Sequence, residues 1–134
     1  MKLTSTEIFT LVWDHVRRSP LGEAVPVMYA DHYPNRPSGE FLVVTSLTNV
    51  TEGVQVATMN VNIYVPDTTP TIGGEQQRFP NRSRLAELTK IAFESLGHYP
   101  VAERWFFDVS GETLISEEAI SFTFSNIKLK LKKY

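Results

Sequence analysis

The stretch VQVATMNVNIYV, residues 54–65, decides the fold class. Ala57, Met59, Val61, Ile63 and Val65 are apolar, and Thr58, Asn60 and Asn62 between them are polar. A strand sends alternate side chains to opposite faces, so this period of two predicts a long strand with one face on a core and the other toward water or a partner. Val65-Pro66-Asp67 ends it, because proline has no N–H to give to a ladder.

Upstream of this strand, Phe41-Leu42-Val43-Val44 is a continuous apolar run, which predicts a strand covered on both faces at its start. Thr51-Glu52-Gly53 joins the two as a hairpin, with several registers open between residues 48 and 53. Residues 25–30 read as a short strand, and Pro26 puts it at an edge. Further back, Thr4-Ser5-Thr6-Glu7 has the form of a capping box. Ile8, Leu11, Val12 and Val16 then recur at helical spacing, predicting a first helix over about residues 5–18 that stops near Ser19-Pro20. Pro20-Leu21-Gly22 reads as a turn.

Downstream, residues 66–80 contain three prolines and the pair Gly73-Gly74, which predicts a long loop with no regular element. A second helix follows, capped by Asn81, with Leu85, Leu88, Ile91, Ala92 and Leu96 on one face and Gly97 as its C-cap. Residues 103–109 form a strand ending at the turn Ser110-Gly111-Glu112, and another strand closes the chain. In that last strand the apolar positions change parity, from Ile120, Phe122 and Phe124 to Ile127, Leu129 and Leu131. Such a switch signals either a β-bulge or a change of covered face near Ser125-Asn126. The expected fold is therefore α+β: one domain over residues 1–134, a mainly antiparallel sheet of about four to five strands, and two helices packed on one face.

With 134 residues, 42% of them hydrophobic, the chain suits one domain burying roughly two thirds of its unfolded surface. A formal net charge of −2 provides no global basic field for nucleic acid. The absence of cysteine excludes disulfides and thiolate metal sites. The apolar run at residues 8–13 is broken by Asp14, Arg17 and Arg18, unlike a signal-peptide core, and no stretch has the length of a membrane span. These features lead us to expect a soluble, non-secreted protein without a membrane partner.

No motif declares a reaction. His15, His32 and His98 lack metal-ligand spacing, and a solvated loop or surface histidine is the ordinary reading of each. Asp31-His32 is the least ordinary pair; with Tyr33 and Trp105 it would line the pocket of a small ligand-binding or hydrolytic domain. Glu112, Glu117 and Glu118 flank a turn and read as solvated. Gly73-Gly74 lacks the lysine and hydroxyl residue of a phosphate-cradling loop. Lys128, Lys130, Lys132 and Lys133 in the last strand read either as guards of an exposed edge or as a contact for a partner or DNA. Arg78, Arg82 and Arg84 cluster where the long loop meets the second helix.

The segments LTSTEIFTLVWDHV, PSGEFLVVTSL, VNIYVPD, RLAELTKIAFESL and AISFTFSNIKL, in this order, resemble the tail-terminator (tail-completion) proteins of long-tailed phages and prophages. The loop at residues 66–80 is longer and richer in proline than that pattern. The resemblance implies a structural protein, not an enzyme, that needs no cofactor. It implies a homo-oligomeric ring, typically a hexamer, which caps the tail tube, ends its polymerisation and presents a surface to a head-completion protein. Nucleic acid would meet such a ring only in passage. Its place would be the host cytoplasm during assembly and then the virion tail. Another head–tail neck protein has the same outline. On this reading Thr58, Asn60, Asn62, Gly73, Gly74, Arg78, Lys128 and Lys130 form the expected subunit or tube interface.

Overall fold

A computed structural model describes residues 2–134. Helix α1 (Ser5–Arg18) begins on the capping box: Thr4 Oγ1 accepts the Glu7 N–H at 3.1 Å, and the Glu7 carboxylate accepts the Thr4 N–H at 2.9 Å. That backbone bond holds the Glu7 carboxyl below its ordinary pKa. Ile8, Val12 and Val16 are buried along one stripe of the helix.

Pro20-Leu21-Gly22 is not a turn but part of a second helix, α2 (Pro20–Ala24). Ser19 caps it and proline occupies its first turn, where a missing N–H costs nothing. Gly22 is required there by close approach, since a Cβ would lie 2.4 Å from the carbonyl oxygens of Val16 and Arg17.

Five strands form one sheet in the spatial order β1 (Met28–Ala30), β2 (Phe41–Val50), β3 (Gln55–Pro66), β7 (Phe122–Lys133) and β6 (Trp105–Glu117). β1 (Met28–Ala30) lies at the edge, as Pro26 predicted, and pairs parallel to β2 (Phe41–Val50); every other pairing in this sheet is antiparallel. β2 pairs with β3 (Gln55–Pro66) as the expected hairpin, with a register shift between Ser46 and Thr48. The long loop is not wholly irregular: Thr71–Ile72 (β4) and Glu75–Gln76 (β5) form a separate small hairpin. Gly73 and Gly74 turn it at φ of 61° and 83°, the positive values that a two-residue hairpin turn demands.

Helix α3 (Arg82–Ser95) is capped by Asn81 Oδ1, which accepts the Arg84 N–H at 3.3 Å. Its C-cap is Leu96, and Gly97 does not adopt the left-handed conformation expected of it. The surroundings of Gly97 are tight instead, since a Cβ there would lie 3.0 Å from the Asp108 carboxylate. Beyond a short 3-10 turn, β6 (Trp105–Glu117) runs straight through Ser110-Gly111-Glu112. The expected turn there is a register shift against β7 (Phe122–Lys133), so the strand expected to end at Val109 continues to Glu117.

The parity switch in β7 is a change of covered face. Its pairing with β3 is unbroken from Gln55↔Lys133 to Pro66↔Phe122, so no bulge intervenes. Ile127, Leu129 and Leu131 join Ala57, Met59, Val61, Ile63 and Val65 under the three helices. Phe122 and Phe124 point to the other side, where they form a second buried cluster with Phe41, Val43 and Tyr64. Three helices, not two, thus cover one face. The other face is aromatic and buried at one end and polar at the other. Among the described residues no helix is long and apolar enough to cross a membrane.

Candidate functional site

On the uncovered face, antiparallel registry puts Thr58 opposite Lys130, Asn60 opposite Lys128 and Asn62 opposite Asn126. The same parity places Lys132 opposite Val56, while Thr45 of β2 lies across from Asn60 and Asp108 of β6 across from Lys130. Four of the expected interface residues, Thr58, Asn60, Lys128 and Lys130, therefore share one patch. Lys128 and Lys130 are exposed. Among the described residues neither they nor Lys132 forms an ion pair.

The position of β7 rules out edge protection as the purpose of these lysines, because the strand is paired on both sides, by β3 and by β6. Interior strands have no free ladder to guard. Lys133, of opposite parity, instead donates to the Glu103 carbonyl at 3.4 Å.

Asn62 stands apart from the patch. It is 9% exposed, and its Oδ1 accepts from Asn126 Nδ2 at 2.7 Å, so it is spent on the boundary between the polar and aromatic ends. The Asn60 Oδ1 atom is buried without a hydrogen-bond partner among the described residues. At the aromatic end, Phe41, Tyr64 and Phe124 stack with ring centroids 4.6 and 4.5 Å apart, and Tyr33 leans on both Phe41 and Tyr64. Burial pushes the Tyr64 hydroxyl well above its ordinary pKa.

Gly73, Gly74 and Arg78 lie away from the lysine patch, on the arm that leaves the far end of β3. Arg78 fixes the base of that arm. Its guanidinium pairs with the buried Asp67 carboxylate and lies 3.5 Å from Glu118, while Asp67 also accepts from Thr123 Oγ1 at 2.7 Å. A bridge between Thr68 and Phe79 closes the arm above it. Of the other two arginines, Arg84 makes a forked pair with Glu40 at 2.7 and 2.9 Å, which raises its pKa, and Arg82 is exposed.

The alternative pocket does not assemble. Asp31 and His32 are exposed, and the Asp31 carboxylate accepts from Thr45 Oγ1 at 3.0 Å. Tyr33 belongs to the aromatic cluster, whereas Trp105 lies with His98 and Phe107 at the start of β6. Sequence reading missed the histidines that do meet. His15 and His98 meet with ring centroids 4.7 Å apart and planes tilted by 31°, beside Phe107, in a cleft of about 240 Å³ that Asp14, Arg18 and Trp105 also line. Burial lowers the pKa of His15, and its Nε2 lies 3.2 Å from the Ser95 carbonyl. No local signal could link residues 83 positions apart; the bridge between His98 and Phe107 and the packing of His15 on Phe107 bring them together.

Comparison with protein-family models gave no match, and comparison with curated proteins gave none.

Proposed function

We propose that this chain is a structural assembly subunit that forms a ring on the end of a phage tail tube, stops its growth and offers a surface for head joining. The observation that carries the proposal is the lysine stripe on β7, an interior strand whose cations face outward from a sheet surface that no α-helix among the described residues covers. A strand paired on both sides needs no protective charge, and exposed cations on a broad polar face suit contact with an acidic partner surface. The resemblance to tail terminators, running through most of the chain, supplies the kind of partner: further copies of the subunit, the tube protein and a head-completion protein. A ring needs two different patches that meet head to tail, and the arm lies away from the lysine face, so the chain offers more than one surface to its partners.

The test is electron microscopy of negatively stained tail tubes assembled with and without the protein. The expected result is shortened tubes with a terminal cap. Unchanged tube lengths and bare ends would overturn the proposal.

A further inference from the structure

β6 is the outermost strand of the sheet, and among the described residues only the His98–Phe107 bridge covers its outer side. Beyond the register shift at Ser110, residues 111–116 carry neither lysine nor proline, two usual guards of a free edge, and pair with β7 without a further shift. Their Leu114 and Ile115 are 39% and 40% exposed. On the helix side this edge opens into a groove of about 500 Å³ between α3 and β6. Its floor is apolar, from Leu85, Ala86, Phe93 and Leu114, and its walls include the cations Arg82 and Lys90. Neither cation has an ion pair among the described residues, and the groove's one carboxylate, Glu112, accepts from Ser125 Oγ at 3.3 Å.

The arm has the complementary chemistry. β4 and β5 form a sheet of their own whose four residues are all exposed. A lone two-stranded hairpin is at best marginally stable in water, so the tip gains from a third strand or an apolar partner. Ile72 and Glu75 are directly opposed across the hairpin, and opposed residues share a face. One face of the tip therefore presents an apolar side chain, 49% exposed, beside a carboxylate, matching an apolar floor walled by cations.

We propose that the groove between α3 and β6 receives the arm of a second copy of this chain. Ile72 rests on the floor, Glu75 meets Lys90 and Arg82, and the arm extends the sheet along the free β6 edge. This rests on the ring reading for its supply of neighbouring copies, and it names the two unlike patches that such a ring joins head to tail.

Because the chain has no cysteine, single thiols report the contact directly. Ile72→Cys and Ala86→Cys both fall at exposed positions. Chains carrying one substitution each, mixed and oxidised with and without tail tubes, should give mainly the I72C–A86C cross-link and little of either like pair. Adding Glu75→Lys to the arm chain should lower the yield about threefold, and adding Lys90→Glu to the groove chain should restore it. Absence of the unlike cross-link under both conditions, or like pairs in equal yield, would overturn the arm contact. Capped tubes without the cross-link would overturn this inference and leave the ring standing. The cross-link without capped tubes would support the arm contact and overturn the tube reading.

Discussion

The two faces of the sheet come from the same strands and differ in how far their burial extends. On the helix side, Ala57, Met59, Val61, Ile63 and Val65 of β3 are all buried in one continuous cluster. On the other side, burial holds from Phe41, Tyr64, Phe122 and Phe124 to Asn62 and then gives way to Asn60, Thr58 and the lysines. The difference shows that a sheet can have one and a half cores. Aromatic side chains stacked strand to strand can bury part of a face without a helix, leaving the rest open for a neighbour.

The largest expected effect is at Phe41. If the aromatic end is a second core, Phe41→Ala should cost about 3–5 kcal/mol in denaturant unfolding, as a buried Phe deletion under the helices would. A cost below about 1 kcal/mol, the range of an ordinary surface substitution, would mean that this end behaves as surface. Next comes Gly22→Ala, where a methyl group forced against two α1 carbonyls should cost about 1–3 kcal/mol by the same measurement. Arg84→Ala removes a partly exposed forked pair with Glu40 and should cost about 1 kcal/mol, less at high salt.

A smaller effect sharpens the helix side through pH. Burial lowers the His15 pKa below the ordinary 6.5, so the unfolded chain takes up this proton more readily than the folded one. Stability is then full above about pH 6.5 and declines as pH falls from there toward the lowered folded value. His98, Asp14 and Arg18 share the cleft, so the slope is a property of the cluster. In thermal melts between about pH 7 and about pH 5, His15→Gln should flatten the slope, and an unchanged slope would remove His15 as its source.

Much of this was legible in residue pattern. Capping at Thr4 and Asn81, the two long amphipathic helices, the β2–β3 hairpin and the edge position set by Pro26 all rest on local chemistry that sequence displays directly. The parity switch in β7 was visible too, but choosing a changed face over a bulge needed the neighbour β3, whose unbroken register is a nonlocal fact. The arm hairpin was missed because its strands are two residues each, too short for any periodicity, although Gly73-Gly74 is a strong turn pair. Ser110-Gly111-Glu112 misled in the opposite sense, since a glycine in a strand can mark a bulge as well as a turn. Of the expected interface, Thr58, Asn60, Lys128 and Lys130 lie together because alternation is a property of sequence. The internal roles of Asn62 and Arg78 depend on Asn126 and Asp67, partners that folding supplies.

The most direct test of the account reverses the charge of the open face. Lys128→Glu combined with Lys130→Glu alters exposed side chains without ion pairs among the described residues, so unfolding stability should stay within about 0.5 kcal/mol per substitution. This folded variant should no longer cap tail tubes, which then grow to the lengths seen without the protein. Normal capping by the same variant would contradict the proposed function.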